Sequence, residues 1–436
     1  MLKKNKQVIC GLFLALVMPV LSYGYHCSIY SNSQYSVSVT ADKTNALYKV
    51  GETGEFEIVL SANGNQAISN SWSYTMVQDG LNSLAKGELK LVDGRMKVAF
   101  KCDKPSFYLL TVRPPAGETN CPAIEGGAAC EPDKLTPSMP KPDDFDAFWN
   151  GKKALLDSMT NQPVLTPAAE FSDDKIETFA LCLENINGSH VYGWFSKPKG
   201  AGPFPAFLHL NPAVVGSIRP DVVVKYAKMG AMALDINPHD LQNGQPDSYY
   251  QEAAKGRLNC YFWIGRDDRE TSYFLRMFCG CYRAAKYLAG RSEWNQKHLL
   301  VNGYSMGGGQ AFATAYLCTQ VTAFAAAVPA LCDHTAREVG RIPGWYKMVT
   351  YENGKADQKK LNTSRYFDGV NFAYTIRAKA LVSAGFIDGT CPPGSVYAAY
   401  NALKCDKQMI DLPTYGHINS FSNPNYPFIK TAMGWK

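Results

Sequence analysis

Short runs in which apolar and polar residues alternate fill the chain between about Tyr35 and Pro114. Turn residues such as NGN, VDG and DKP separate the runs, which read YSVSVT, EFEIVL, SWSYTMV, GELKLV, RMKVAF and FYLLTV. Regularly spaced, half-buried strands of this kind predict an antiparallel β-sandwich of immunoglobulin type over residues 28–115. This stretch contains no histidine. We therefore interpret it as an accessory module that is either structural or in contact with carbohydrate.

A different pattern begins after a stretch rich in proline and glycine, residues 116–139, which is predicted to be a linker. Apolar residues then recur at helical spacing, with Phe145, Phe148 and Trp149 on one face and Asp143 or Asp144 near the N-cap. KIETFALCLE and HVYGWFSKP read as an antiparallel hairpin, and buried strands alternate with helices from there on. This order predicts a mostly parallel sheet with helices on both faces, the α/β-hydrolase fold, for residues 140–436.

The segment GYSMGGG, centred on Ser305, is the main candidate for chemistry. A short buried strand, HLLVNG, precedes it and a helix of small residues, QAFATAYLCTQ, follows it. A serine on such a strand-to-helix turn is typical of a nucleophile elbow, in which Gly303 and Gly307 allow the strand and the helix to approach closely. The alternative is a glycine-rich structural turn.

A serine hydroxyl needs an imidazole to take its proton and an acid to orient that imidazole. In this fold the acid and then the histidine follow the nucleophile along the chain. Asp388 comes just after the late strand AKALVSAG, and His417 lies in the loop after the next strand, KQMIDLP. We therefore predict a triad of Ser305, Asp388 and His417.

Other polar residues are rivals for the same roles. Asp411 lies within a strand, Asp333 comes too early for the acid, and His239 with Asp240 is expected to shape the pocket. His334 suits a supporting or substrate-contact role.

The backbone N–H of Met306 and one from the loop around Leu210 or Asn211 are predicted to form the oxyanion hole. His209 is expected to hold the loop that follows its strand.

The N-terminus predicts export. A lysine-rich start, the apolar run VICGLFLALVMPVL and small residues before position 25 predict a signal peptide over residues 1–24 and a soluble periplasmic or secreted protein. Removal of its three lysines lowers the formal net charge from +6 to +3, so no nucleic-acid partner is expected. No later stretch is apolar enough to predict a membrane span.

Twelve of the 13 cysteines lie outside the predicted signal peptide, and an oxidising compartment predicts disulfide bonds. Cys102, Cys121 and Cys130 lie around the end of the first domain and its linker, with their pairing open. Cys279 and Cys281 stand two apart on a predicted helix and point in different directions. Because the sequence has no C-x-x-C and no histidine pair at ligand spacing, neither a metal site nor a cofactor is expected.

Residues 140–436 resemble the acetylxylan esterase and cephalosporin-C deacetylase family of carbohydrate esterases. KPDDFDAFW is similar to the family's opening P-x-D-F-D-x-F-W, GYSMGGG to its G-x-S-Q-G-G elbow, and DGTCPPGSVYAAYN to its acid-bearing D-x-x-C-P-P. The resemblance implies a cofactor-free serine esterase that removes acetyl groups from O-acetylated oligosaccharides or polysaccharides, xylan-derived ones above all. Family members often form ring-like oligomers, but an added N-terminal module would obstruct that packing. The sequence therefore leaves open whether this chain forms a homo-oligomer.

Three positions depart from the family's pattern. Met306 replaces the usual glutamine, Asn243 replaces the arginine of an R-G-Q motif whose glutamine is Gln245, and Asn211 replaces the tyrosine of an H-G-Y segment that begins at His209. These departures bear on the acyl group and sugar accepted.

Two alternatives remain. One is a peptidase of the prolyl-oligopeptidase kind, for whose propeller the first domain is too small. The other is a carbohydrate-binding protein whose hydrolase domain has decayed.

Overall fold

The computed structural model describes residues 27–63, 71–118, 121–417 and 426–435. The predicted signal peptide therefore lies outside the described residues. The first part of the chain forms two facing sheets. Its strands are β1 (Ile29–Ser31), β2 (Tyr35–Ala41), β3 (Leu47–Tyr48), β4 (Thr53–Ala62), β5 (Ser73–Gln78), β6 (Asn82–Glu88), β7 (Arg95–Lys101), β8 (Ser106–Arg113) and β9 (Ile124–Cys130).

One sheet of the sandwich has the order β1-β2-β4-β7 and the other β3-β9-β8-β5-β6. All neighbours pair antiparallel except β3 and β9, which are parallel. Inward-facing residues such as Val39, Phe56 and Leu110 are fully buried between the sheets. Alternation of apolar and polar residues thus builds the predicted sandwich.

The predicted linker boundary needs correction. Residues 116–139 include β9, which pairs with β8 along its whole length and is buried at every position. Its small residues, IEGGAAC, carry no alternating pattern because both faces of the strand are covered. The predicted strand GELKLV is also displaced, since β6 ends at Glu88.

The second part forms a nine-stranded sheet, order β10-β11-β12-β14-β13-β15-β16-β19-β20. The first strands pair antiparallel and those from β14 onward are parallel. The strands are β10 (Val164–Pro167), β11 (Ile176–Glu184), β12 (His190–Pro198), β13 (Phe204–Leu210), β14 (Met232–Ile236), β15 (Trp294–Tyr304), β16 (Ala323–Ala327), β19 (Lys379–Gly385) and β20 (Lys407–Leu412), with a separate hairpin of β17 (Tyr351–Glu352) and β18 (Lys355–Ala356).

Helices connect and cover these strands. They are α1 (Phe145–Asp157), α2 (Asp221–Lys228), α3 (Asp247–Lys255), α4 (Tyr273–Ala289), α5 (Met306–Leu317), α6 (Gln358–Ser364), α7 (Gly369–Ala373), α8 (Pro393–Ala402) and α9 (Tyr426–Ala432). The predicted α/β-hydrolase fold is confirmed. No helix within the described ranges is long and apolar enough to cross a membrane.

At the start of α1, the predicted N-cap residue makes hydrogen bonds other than a capping bond. Asp144 is the N-cap residue, but its side chain makes no capping hydrogen bond. Its carboxylate instead accepts a bond of 2.6 Å from Arg269 and another from the hydroxyl of Tyr366. The residue therefore ties α1 to two distant segments of the domain.

The parallel strands direct their carboxyl ends toward one edge of the sheet. Ser305 follows β15, Asp388 lies three residues beyond the end of β19, and His417 follows β20. The connectivity thus brings residues more than 100 positions apart in the chain to the same edge.

Candidate active site

The turn between β15 and α5 holds Ser305 in an unusual backbone conformation, with φ 57° and ψ −119°. A side-chain atom added at Gly303 would overlap the carbonyl oxygen of Gly307, and one added at Gly307 would overlap that of Leu210. Only glycine fits these two positions. The strained turn places a serine with 6% exposure at the start of a buried helix, as in a nucleophile elbow.

A continuous chain of hydrogen bonds joins the three predicted catalytic residues. Nε2 of His417 lies 2.9 Å from Oγ of Ser305, and Nδ1 of the same ring lies 2.8 Å from Oδ2 of Asp388. With the carboxylate as acceptor, Nδ1 carries a proton and donates a hydrogen bond to Asp388. Nε2 is then free to accept the serine proton, which is the arrangement that general-base catalysis requires.

The loop after β19 fixes the carboxylate of Asp388. Its Oδ1 accepts the backbone N–H groups of Thr390 and Cys391, each at 2.8 Å. The other oxygen, Oδ2, remains for the imidazole. Asp388 is 3% exposed. Two backbone donors and one ring donor therefore satisfy this buried carboxylate, and they fix its direction.

The thiol of Cys391 lies beside the same groups. Its sulfur, a carboxylate oxygen of Asp388 and a ring nitrogen of His417 lie within 4.8 Å of one another, and this is the one group of possible metal ligands found among the described residues. Burial, and next the charge of Asp388, raise the pKa of Cys391 well above its usual value. Because the thiol is neutral and the carboxylate already binds the imidazole, we assign these residues to the triad and its surroundings.

The loop that is predicted to supply the second oxyanion donor lies against the start of α5. The carbonyls of Leu210 and Asn211 both approach Gly307, and the carbonyl of Asn211 accepts a bond of 3.0 Å from Nε2 of Gln310. Met306, the first residue of α5, is fully buried. The first N–H groups of a helix have no partner within it, so this end of α5 suits a developing negative charge.

His209 and Asn211 share a partner on the neighbouring strand. Nδ1 of His209 lies 3.1 Å from Oδ1 of Asp235, and the side-chain amide of Asn211 donates to the same oxygen. Burial disfavours the charged ring, but the charge of Asp235 and the hydrogen bond outweigh it and raise the pKa of His209. His209 thus makes its contact with β14, and Asn211 serves to hold the loop.

Gln245 lies in a surface segment away from these contacts. Its side chain donates a long bond of 3.4 Å to Gln242, and its backbone N–H donates to the hydroxyl of Tyr250. Asn243 accepts from the backbone N–H of Ile218 at 3.2 Å, where the family pattern has an arginine. The segment braces a neighbouring loop.

His334 is fully buried. Neither ring nitrogen makes a hydrogen bond with the described residues, and burial lowers the pKa of His334 to about 3. The backbone N–H of His334 and that of Asp333 donate to the carboxylate of Asp368, each at 2.7 Å. The neutral ring is therefore a packing residue of this loop.

The other rivals for catalysis lie in structural contacts. Asp411 in β20 accepts a hydrogen bond from the hydroxyl of Tyr397 in α8, and Asp333 forms a buried ion pair of 2.8 Å with Arg341. His239 is buried, and its Nδ1 lies 2.7 Å from the hydroxyl of Tyr273. The structure brings none of them into a hydrogen bond with Ser305.

The sequence analysis did not predict two tyrosines that lie at the site. The hydroxyl of Tyr304 donates to the backbone carbonyl of His417, and the hydroxyl of Tyr261 lies 3.3 Å from the sulfur of Met306. Tyr304 directly precedes the nucleophile, so its position in the elbow is a usable signal. Tyr261 lies 44 residues before Ser305, and no motif marks it.

Comparison with known proteins places this chain in a family. The sequence model of the family described as acetyl xylan esterase matches residues 131–430. The acetyl esterase Axe7A of Xylanibacter ruminicola is 30% identical over 396 residues, which is 89% of this chain and 87% of that protein. That alignment is longer than the hydrolase domain, so it includes part of the sandwich.

Two solved structures share the fold. An acetyl xylan esterase from Paenibacillus sp. R4 is 24% identical and superimposes with a TM-score of 0.60, covering 70% of this chain and 99% of that chain. Acetyl xylan esterase 1 from Thermoanaerobacterium sp. JW/SL YS485 is 22% identical with the same TM-score, covering 70% of this chain and 96% of that chain.

Proposed function

This chain belongs to the acetyl xylan esterase family and is a carboxylic-ester hydrolase, and on that premise we propose that it removes acetyl groups from O-acetylated carbohydrate with Ser305, His417 and Asp388. The observation that carries the proposal is the hydrogen-bond chain of 2.9 Å and 2.8 Å through the imidazole. Xylan-derived oligosaccharides are the proposed substrates, in keeping with the name of the family.

In the first half of the reaction, Oγ of Ser305 attacks the ester carbonyl while Nε2 of His417 takes its proton. Asp388 stabilises the imidazolium through Nδ1. The carbonyl oxygen becomes an oxyanion, which the N–H of Met306 and one from the loop at Asn211 bind. When the tetrahedral intermediate collapses, the imidazolium gives its proton to the departing sugar oxygen and leaves an acetyl-enzyme.

In the second half, His417 takes a proton from water as that water attacks the acetyl-enzyme. The second tetrahedral intermediate collapses with return of the proton to Ser305, and acetate leaves. Every proton thus passes through a single ring nitrogen, and this mechanism requires neither a metal ion nor a cofactor.

An exposed aromatic ring in the segment that contacts Met306 supports a sugar as the alcohol part of the substrate. Trp263 is 51% exposed, and it follows Tyr261, the residue in contact with Met306, by two positions. Its ring packs against Phe262, which in turn contacts Trp345 with ring centroids 5.6 Å apart. An exposed indole offers a flat apolar surface to the C–H face of a sugar ring.

Export through an N-terminal signal peptide, to the periplasm or the medium, is part of the proposal. In an oxidising compartment we propose a disulfide bond between Cys102 and Cys130, whose thiols are in hydrogen-bonding contact. Cys102 directly follows β7 in one sheet and Cys130 ends β9 in the other. The bond would join the two sheets of the sandwich.

The decisive experiment measures acetate released from acetylated xylo-oligosaccharides by the wild-type protein and by Ser305→Ala, with circular dichroism to show that the variant is folded. Release by the wild type alone supports both the nucleophile and the substrate class. Cleavage of an aryl acetate but not of the oligosaccharide would leave the triad standing and overturn the sugar assignment. A prolyl peptide substrate tests the peptidase alternative, and lack of labelling by a fluorophosphonate would favour a decayed enzyme.

A further inference from the structure

The sandwich packs directly on the loop that carries the catalytic acid. The ring of Phe107 in β8 meets the ring of Phe386 edge-on, with centroids 5.2 Å apart, and contacts Tyr397 of α8 at 5.6 Å. Phe386 stands two residues before Asp388. Phe107 and Phe386 are 6% and 2% exposed. An aromatic residue of the first domain is thus buried against the start of the acid loop and against the helix that follows it.

The neighbouring strand of the sandwich comes equally close. A Cβ atom added at Gly127 in β9 would lie 2.6 Å from the Cβ atom of Phe386 and 2.8 Å from its backbone carbon. No side chain therefore fits between β9 and the acid loop. The absence of a side chain at Gly127 lets the two backbones pack without a gap.

A turn of the sandwich supports the far end of the same loop. The carbonyl of Asp79, between β5 and β6, accepts a bond of 2.9 Å from the N–H of Ile342. The carbonyl of Ile342 accepts a bond of 3.1 Å from the hydroxyl of Ser395, in the first turn of α8. Two successive hydrogen bonds therefore link the sandwich to the helix that begins where the acid loop ends.

The histidine loop meets the sandwich as well. Cys27, at the start of the sandwich, forms an antiparallel bridge with Tyr415, two residues before His417. The carbonyl of Tyr415 also accepts the N–H of Ile387 from the acid loop, at 3.4 Å. The two catalytic loops and the first domain thus converge at one place.

A cavity of about 140 Å³ lies in this interface, lined by Phe107, Ile342, Asp388 and Pro392 among others. Loss of the ring of Phe107 would enlarge this cavity beside the acid loop, and the loop would then have room to move into it.

We propose that the sandwich helps to hold the catalytic loops in place and that Phe107 is a positioning residue for Asp388. The inference rests on the triad proposed above. Phe107 acts through Phe386 and does not touch the reacting atoms. A displaced carboxylate orients the imidazole less well, so the chemical step slows while substrate binding is kept, and a displacement of about 1 Å can cost up to about a hundredfold in rate.

The test compares Phe107→Ala and Phe107→Leu with Phe56→Leu in the full chain. Phe56 is fully buried in the sandwich core, where it contacts Phe100, so it controls for loss of stability alone. We measure kcat and KM for an aryl acetate, and the rate at which a fluorophosphonate labels Ser305.

Phe107→Ala should lower kcat and the labelling rate together, by about tenfold to a hundredfold, with KM within about twofold. Phe107→Leu should restore most of the rate, and Phe56→Leu should lower the unfolding midpoint without changing kcat. A folded Phe107→Ala with wild-type kcat would overturn the inference, and so would an equal loss of kcat in Phe56→Leu.

Gly127→Ala decides the question if Phe107→Ala does not fold. Its added methyl group pushes on Phe386 from the other strand, so kcat should again fall while KM is kept. Wild-type kcat in a folded Gly127→Ala would then overturn the inference. An active Ser305→Ala would instead refute the triad, which separates failure of the proposed function from failure of the positioning role.

Discussion

The hydroxyl of Tyr261 lies 3.3 Å from the sulfur of Met306, and the thioether of Met306 is fully buried. The side chain that replaces the family's glutamine thus points into the protein interior and packs there. The contribution that we propose for Met306 in catalysis comes from its backbone N–H, which any non-proline residue supplies.

The first prediction concerns that side chain. Met306→Leu should change kcat by less than about threefold and cost less than about 1.5 kcal/mol of unfolding free energy, because the swap conserves volume and keeps the backbone donor. Steady-state kinetics and urea denaturation measure the two effects. A hundredfold loss of kcat in a folded variant would show that the thioether itself takes part.

The second prediction distinguishes the proposed acid from its rival. Asp388→Asn should lower kcat by about 10⁴-fold, because the amide favours the wrong tautomer of His417. Asp411→Asn, on the next strand, serves as the matched control and should keep kcat within a few fold. The roles would be reversed if Asp411→Asn lost activity and Asp388→Asn kept it.

The third prediction tests sugar recognition by the exposed indole. Trp263→Ala should raise KM for acetylated xylo-oligosaccharides by about threefold to tenfold, the size of a lost aromatic contact, and leave KM for an aryl acetate unchanged. Trp263→Phe should have a KM for the oligosaccharide between those of the wild type and Trp263→Ala. Equal KM values for wild type and Trp263→Ala on the oligosaccharide would remove Trp263 from the substrate site.

The fourth prediction follows from the buried ring of His334. Burial lowers the pKa of His334 from the ordinary 6.5 to about 3. Between pH 6.5 and about pH 3 the unfolded chain therefore binds a proton at His334 that the folded protein does not bind. Stability therefore falls as the pH is lowered through this window, and His334 accounts for about 2 kcal/mol between pH 7 and pH 5.

Urea denaturation at both pH values measures this slope. His334→Phe should lose about 2 kcal/mol less than the wild type on acidification, since phenylalanine cannot take up the proton. Phe324→Leu, a substitution at a fully buried position that removes no titratable group, is the control and should keep the wild-type slope. An unchanged slope in His334→Phe would show that another group titrates.

The fifth prediction concerns the thiol pair of the sandwich. Oxidised glutathione should join Cys102 and Cys130 by thiol–disulfide exchange, with release of two molecules of reduced glutathione for each bond formed. Peptide mapping by mass spectrometry without reduction should find this pair, and Cys102→Ser should abolish it. A bond from Cys102 to any other cysteine would contradict the proposed pairing.

The sequence alone determined the sandwich, the α/β-hydrolase fold and the candidate triad. The features that predict them are local patterns, and each spans only a few residues. They are alternation with a period of two, helical periodicity and the glycines around Ser305. Asp388 and His417 can be identified from their places in the chain because a parallel sheet brings the carboxyl ends of its strands to one edge. The acid and the base have only to follow late strands in the order that this fold requires.

Only the tertiary structure decided what surrounds that triad. Strand β9 resembles a linker in sequence because a strand covered on both faces shows no alternation. The contact between Phe107 and Phe386 joins residues 279 positions apart, and the burial of Met306 against Tyr261 depends on how one loop packs on a helix. Such contacts arise from shape and packing between distant segments, and no short pattern in the chain records them.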